Sequence, residues 1–415
     1  MQLLAVLIFI IGYLAIALEH PIKINKTASA LITGVLCWTI YAVDSSEGVT
    51  GELSHHLSQI AEILFFLLGA MTIVELVDAY QGFDIITDRI RTKNPKVLLW
   101  IVCWLSFFLS AILDNLTTSI VMVSLIRKLI PDRNMRWFFT GMIVIAANAG
   151  GAWSPIGDVT TTMLWIGGQI TTINIMKGLL IPSMICLLVP LTLLSFTLKG
   201  ELGESSIADG AVKMKGSGVM LALGIGSLVF VPVFKTITGL PPYIGMMLGL
   251  AVVWIVSEII NPHADEFQRK PYTAAGALSR IDTSSMLFFL GILLAVGALE
   301  SMSLLGQFST WLDTTIKNQS VIITIIGIMS AVVDNVPLVA ASMGMYPLET
   351  YPTDHFIWEY LAYCAGTGGS ILIIGSAAGV AAMGMEKIDF MWYLKKISSI
   401  ALLGYLAGCA VFLLI

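Results

Sequence analysis

Two aspartate–asparagine pairs are the residues in this sequence that are best suited to bind a small cation or a proton. Asp114-Asn115 and Asp334-Asn335 each interrupt a long apolar run. A carboxylate inside a membrane-spanning run costs about 2.5–3.5 kcal/mol on insertion scales and is by default functional. Desolvation favours the protonated form of a carboxylate, whereas a bound cation favours its charged form. Each aspartate can therefore hold either H+ or a metal ion, which predicts a site where the two compete.

Helix capping is the structural alternative for both pairs, since Asp and Asn are preferred N-caps. Capping alone would tolerate Ser or Thr equally well, so the same dipeptide in two places favours a functional role. No lysine or arginine falls deep inside a predicted span. Neither Asp114 nor Asp334 is therefore expected to be held in a salt bridge, and a proton or a small cation is left to neutralise each of them.

A third candidate element is the segment 148–162, which breaks an apolar run with Gly150-Gly151 and Pro155. Glycine and proline inside a span interrupt the helical hydrogen bonds and free main-chain carbonyls. Carbonyl, carboxylate, amide and hydroxyl oxygens are hard ligands of the kind that hard cations prefer. The side chains that could supply them are Asn148, Asp158, Thr160 and Thr161. The structural alternative is a kink whose threonines bond back to their own helix.

The second half carries a similar break at residues 366–376, with glycines and hydroxyls but no acid, and Ser376 stands where Asp158 stands in the first half. The expected cation site thus receives more acidic side chains from the first half than from the second. We predict one Na+ or Li+ site, with no resident cofactor. Its ligands would be Asp114, Asn115, Asp158, Asp334 and Asn335.

The composition places these residues in a membrane. Of the 415 residues, 57% are hydrophobic and 12% are charged, which is too little polar surface for a soluble protein of this size. Apolar runs of about 17–25 residues recur along the chain and predict membrane-spanning helices. No P-loop or dinucleotide-binding motif is present, so ATP drive within this chain is not expected. The predicted partner is the lipid bilayer, and no nucleic-acid partner is expected.

Charge distribution predicts the topology. Apolar runs lie near residues 2–18, 27–43, 58–79, 97–130, 137–165, 177–198, 217–234, 243–260, 284–300, 320–346, 356–384 and 392–415. If the two runs with Asp-Asn pairs are re-entrant hairpins, 19 of the 22 lysines and arginines fall on one side, as cytoplasmic loops require. The prediction is an all-α polytopic protein with ten spans, two hairpins and both termini outside, on the periplasmic face.

The two halves resemble each other. Residues 112–116 match 332–336 at an offset of 220, and Gly150-Gly151 matches Gly368-Gly369 at an offset of 218. We predict two repeats, 1–199 and 217–415, joined by a cytoplasmic linker at 200–216. Because each repeat holds five spans, the second must be inverted. Inverted repeats with broken helices are typical of secondary transporters, whose site lies near the midplane.

The motifs Leu113–Thr118, Asn148–Thr161 and Val333–Pro337 resemble those of NhaD-type sodium/proton antiporters, and the resemblance covers nearly the whole chain. It implies exchange of Na+ or Li+ for H+ in a bacterial inner membrane, in support of pH homeostasis. It also implies a homodimer with an elevator-like mobile domain on a scaffold, which the spans near 2–43 and 217–260 would form. The site residues it implies are Asp114, Asn115, Asn148, Asp158, Thr160, Thr161, Asp334, Asn335 and Ser370.

Two other functions remain open at this point. A sodium-coupled symporter of a small organic anion needs a further pocket, which helix N-termini could help to form. An intramembrane aspartyl protease also needs two membrane carboxylates, which would share a proton to activate water. The acids here are predicted at hairpin tips of a duplicated protein, and this arrangement favours a transporter over an enzyme.

Overall fold

The computed structural model describes residues 1–44, 48–87, 92, 94–198, 214, 216–260, 272–332 and 334–415. Apart from residues 214 and 216, the predicted linker 200–216 lies outside these ranges. So do Val333 of the second tip motif and several basic residues used for the topology. These are Arg89, Arg91, Lys93, Lys199, Lys213, Lys215, Arg269 and Lys270.

The part of the chain that is described is helical and contains no strand. The first half holds α1 Gln2–Ala17, α2 Glu19–Ile22, α3 Lys26–Asp44, α4 Val49–Ala79, α5 Asp84–Thr87, α6 Pro95–Leu113, α7 Asn115–Leu129, α8 Arg133–Ala152, α9 Val159–Ile166 and α10 Thr172–Thr197. The second half holds α11 Ser217–Thr238, α12 Pro242–Ile260, α13 Ala274–Leu278, α14 Thr283–Ser301, α15 Leu304–Ile316, α16 Gln319–Met329, α17 Asn335–Met345, α18 Phe356–Gly368, α19 Ala377–Glu386, α20 Phe390–Lys396 and α21 Ser398–Leu414.

Seven of the described helices are long and apolar enough to cross a bilayer, namely α3, α4, α6, α10, α11, α12 and α14. An eighth span results if α20 and α21, which are bent by 53° relative to each other, are counted as one. The described part of the chain is therefore all-helical, and the protein is a polytopic membrane protein, as the composition predicts. The ten spans, the two hairpins and the inverted repeats stay predictions.

The helices break where the polar motifs lie. Helix α7 follows α6 directly after Asp114, and the α16–α17 break contains Asp334. The α8–α9 and α18–α19 breaks cover residues 153–158 and 369–376. Helices α16 and α17 have 11 residues each, about 16 Å, and are too short to cross a core of about 30 Å alone. Helix ends inside the protein leave main-chain groups without intrahelical partners, so each break offers polar groups to a ligand.

Ion pairs and caps hold the broken helices to one another. Buried Glu386, the last residue of α19, accepts from Arg127 Nε (2.6 Å) and Arg136 Nε (3.0 Å) near the α7–α8 connection. At another connection, Asp354 before α18 accepts from the backbone N (2.6 Å) and Oγ1 (2.8 Å) of Thr171 before α10. Each contact joins segments from different halves of the chain. Together these contacts fix the positions of the broken helices relative to one another.

Candidate cation site

Asp158 is the residue on which the two halves of the chain converge. It caps α9 and is 2% exposed. Its Oδ1 accepts hydrogen bonds from the backbone N (2.9 Å) and Oγ1 (2.7 Å) of Thr160. The amide of Asn115, at the start of α7, donates to Oδ2 at 2.5 Å. The amide of Asn335, at the start of α17, donates to Oδ1 at 3.4 Å. One buried carboxylate thus joins both predicted tips.

Asn148 extends this network to the fourth break. It is fully buried in α8, and its Oδ1 accepts from Asn115 Nδ2 at 3.0 Å. Its own amide donates to the hydroxyl of Ser376 at 2.9 Å, and Ser376 caps α19 by accepting from the backbone N of Gly379. Ser376 was not among the predicted site residues. Its position, 218 residues after Asp158, was the signal that could have identified it.

Asp114 has an unusual backbone conformation, with φ 81° and ψ 161°. This region is populated almost only by glycine and costs other residues about 1–3 kcal/mol. The partly exposed carboxylate caps α7 by accepting from the backbone N (2.8 Å) and Oγ1 (2.9 Å) of Thr117. It lies close enough to Asp158 for the two charges to repel. Strain of this kind persists where the surrounding structure holds it, and it is concentrated at functional sites.

Asp114, Asn115 and Asp158 line one cavity of about 70 Å³, together with Thr117 and Ser285 among others. Since a water molecule takes about 30 Å³ in the liquid, a bare alkali cation fits with little accompanying water. No lysine or arginine is among the described residues that line the cavity. Two neighbouring carboxylates without an opposing charge favour a bound cation or a proton.

Asp334 differs from the other two aspartates because it has a basic partner. Its Oδ2 lies 3.1 Å from Lys26 Nζ, and its Oδ1 accepts from the backbone N of Val336 at 3.3 Å. The prediction that neither tip aspartate has a basic partner is therefore wrong for Asp334. Lys26 lies just outside the predicted apolar run 27–43, but it is the first residue of α3 and its long side chain reaches the tip.

Two of the predicted site residues donate their hydroxyl groups to nearby main-chain carbonyls. Thr161 Oγ1 donates to the carbonyl of Asp158 at 2.9 Å, and Ser370 Oγ donates to the carbonyl of Thr367 at 2.7 Å. The other seven predicted residues form a contiguous group. Asp114, Asn115, Asn148, Asp158, Thr160 and Asn335 are linked by hydrogen bonds or the shared cavity, and Asp334 adjoins Asp158 closely enough to interact with its charge.

The strain at Asp114 gives a testable difference between two substitutions. Asp114→Gly and Asp114→Ala both remove the carboxylate and its cap, but only glycine adopts φ 81° and ψ 161° without strain. We expect the glycine variant to be more stable than the alanine variant by about 1–2 kcal/mol. Thermal melting of the two detergent-purified proteins measures this. Equal melting temperatures would mean that the backbone at Asp114 relaxes freely.

Comparison with known proteins gives consistent matches over most of the chain. A family model described as "Citrate transporter" matches residues 6–362. "Sodium/proton antiporter 1" of Arabidopsis thaliana is 53% identical over 412 residues, which cover 98% of this chain and 71% of the relative. "Sodium/proton antiporter 2" of the same plant is 48% identical, with 98% of both chains covered. "Na(+)/H(+) antiporter NhaD" of Vibrio cholerae is 33% identical over 443 residues, covering 99% of this chain and 91% of the relative.

Proposed function

The chain belongs to the NhaD-type sodium/proton antiporter family, and on that premise we propose that it exchanges Na+ for H+ across a membrane. Family membership makes it a transporter, not an enzyme, and a transporter of this family needs no cofactor. The observation that carries the proposal is the buried carboxylate of Asp158, joined to Asn115 and Asn335 from the two halves and placed beside Asp114.

Competition at these carboxylates couples the two ions. Asp158 is held by donors, which stabilise its charged form, whereas burial opposes that charge. A cation between Asp158 and Asp114 offsets the cost of burying their charges and the repulsion between the two carboxylates. Protonation of either carboxylate has the same effect. A site that accepts Na+ or H+ but not both, and that opens to each side in turn, exchanges them.

Cavities at opposite ends of α4 and α14 support alternating access. One, of about 230 Å³, is lined by Glu75 and Asp282 and shares Met71, Leu116 and Thr117 with the site cavity. The other, of about 560 Å³, is lined by Glu62 and Glu300, and none of its described lining residues belongs to the site cavity. This conformer is therefore open toward the end of α4 that the topology predicts to be cytoplasmic. An elevator-like motion of the site between these two cavities would complete the cycle.

Equivalent contacts in the two halves support an inverted repeat. Ser110 Oγ donates to the carbonyl of Ala147 at 2.6 Å, and Ser330 Oγ donates to the carbonyl of Ala365 at 2.9 Å. The residues of these two bonds are related by the offsets of 220 and 218 that relate the sequence motifs. We propose repeats at 1–199 and 217–415, related by inversion across the membrane.

Ion-driven proton flux tests the antiport. Purified protein in liposomes that hold a pH-sensitive dye should move protons when Na+ is added outside. We expect a response to Na+ and to Li+, and the response to K+ is measured in parallel. Protein-free liposomes are the control. No response to any of the three ions would contradict the antiport.

A sodium-coupled symporter of a small organic anion is the second candidate, and the matching family model's description as "Citrate transporter" favours it. The helix N-termini at the four breaks could help to bind a carboxylate. The cavity beside Asp114 and Asp158 argues against an anion, because both acids would repel it. Uptake of labelled citrate that requires Na+ and moves no proton would favour the symporter.

We propose a bacterial inner membrane on the basis of the similarity to the NhaD antiporters. The lysine and arginine distribution supports placing both termini on the outer face. Reporter fusions at each terminus test the orientation.

We further propose a homodimer through the scaffold spans near 2–43 and 217–260, and native mass spectrometry in detergent tests it.

A further inference from the structure

The amine of Lys26 forms an ion pair with Asp334, one of the carboxylates of the proposed site. We propose that this amine is an internal cation that competes with Na+ for Asp334. Lys26 Nζ is 3.1 Å from Asp334 Oδ2. The inference rests on the proposed function, because it assumes that Asp334 contributes to Na+ binding. It adds a component that the spacing of acids and amides in the sequence did not suggest.

The position of the amine is defined by its surroundings. The backbone N of Lys26 donates to Glu19 Oε1 at 3.1 Å, and Nζ lies 4.4 Å from the centre of the Phe288 ring. The side chains of Lys26 and Asp334 are 24% and 12% exposed. A cation over an aromatic ring gains about 0.5–2 kcal/mol, more as water is excluded. The amine is therefore held beside the tip and is not a freely moving surface group.

The ion pair joins α3, a span of the proposed scaffold, to the α17 tip. Lys26 begins α3, which packs against α1 and α14, and Thr27 Oγ1 donates to the carbonyl of Ser284 at 2.9 Å. Asp334 caps α17, which packs against α14 and α15 as well as against α9 and α18 at the helix breaks. If the site moves relative to α3 during alternating access, Asp334 must leave Lys26. The contact then exists on one side of the cycle only.

A tethered amine that reaches a carboxylate acts at high effective concentration. When Na+ leaves, Lys26 can neutralise Asp334 without water or a second ion entering the site. When Na+ arrives, it must displace the amine from Asp334. The apparent affinity for Na+ in this conformer is therefore lower than the affinity of the ligands alone.

Lys26→Gln removes the competitor and tests this directly. We expect the Na+ concentration for half-maximal binding to fall about fivefold, which corresponds to about 1 kcal/mol for a partly exposed ion pair. Isothermal titration calorimetry of the full chain in detergent measures Na+ binding, and the liposome assay measures exchange. Lys26→Arg keeps the charge and should resemble the wild type. Lys26→Met keeps the apolar stem and should resemble Lys26→Gln, which guards against misfolding of one variant.

Lys23→Gln is the matched control, since Lys23 is exposed, lies three residues away and should leave binding unchanged. In an Asp334→Asn background, Lys26→Gln should have no further effect. The proposal is overturned if Lys26→Gln binds Na+ with the affinity of Lys23→Gln, or more weakly. Na+ binding without proton flux in the wild type would overturn the antiport alone. Absence of Na+ binding in the wild type would overturn both.

Discussion

Replacing Asp158 by asparagine should abolish Na+-driven proton flux and weaken Na+ binding about a hundredfold or more. A charge contact worth about 3 kcal/mol in a site screened from water corresponds to two powers of ten in a dissociation constant. The buried carboxylate is the common acceptor for Asn115, Thr160 and Asn335, so the negative charge at this point serves both halves of the site. Flux in liposomes and calorimetric Na+ binding measure the two effects.

The substitution separates charge from capping, because asparagine caps helices about as well as aspartate. Asp389→Asn is the matched control. Asp389 caps α20 by accepting from the backbone N of Trp392 at 2.9 Å and is not among the lining residues of the site cavity. We expect Asp158→Asn to remain folded and inactive, and Asp389→Asn to remain folded and active. Normal exchange by Asp158→Asn would remove this residue from the ion path and with it the proposed site.

Local signals in the sequence accounted for the helix breaks. Glycine, proline and aspartate interrupt a helix through their own backbone and side-chain chemistry, so the breaks at Asp114, at 153–158 and at 369–376 follow from the residues that occupy them. The same holds for the capping of α7, α9 and α17 by aspartates. The motifs that carry the family resemblance lie at these breaks, and the comparisons confirm that resemblance.

Other features depend on contacts between distant segments and had no local signal. Lys26 and Asp334 are 308 residues apart, and a lysine at the start of a span is indistinguishable in sequence from a loop residue. The direction of the Ser370 hydroxyl depends on which carbonyl is free after the chain turns. Helix α15 was not predicted because its apolar residues are interrupted by polar ones. Its exposed Phe308 and Trp311 rings stack at 5.8 Å, as amphipathic helices at a membrane surface present aromatic groups.

The polar groups at the breaks can form one site only if the surrounding helices approach each other closely. Two glycines make that approach possible. A Cβ at Gly150 in α8 would overlap the carbonyl oxygen of Phe107 in α6. A Cβ at Gly368 in α18 would likewise overlap the carbonyl oxygen of Gly327 in α16. Backbone cannot move aside as a flexible side chain can. Close approach at these points also permits the bonds from Ser110 and from Ser330 to the facing helices.

Gly150→Ala should therefore destabilise the fold by about 3 kcal/mol, at the upper end of the usual cost of overpacking. Helices α6 and α8 must separate, and Asn115 and Asn148, which bond each other from the adjoining helices, lose their 3.0 Å contact. The measurements are the yield of monodisperse protein after detergent extraction and its melting temperature. Gly368→Ala should behave in the same way in the other half.

Gly226→Ala in α11 provides the contrast, since a Cβ there has nothing within 4 Å. Alanine is favoured over glycine within a helix by about 1 kcal/mol, so this variant should be at least as stable as the wild type. If Gly150→Ala melts at the same temperature as Gly226→Ala, the α6–α8 crossing is loose. The geometry around Asp158 would then not be set by backbone contact, and the cation site would need another source of rigidity.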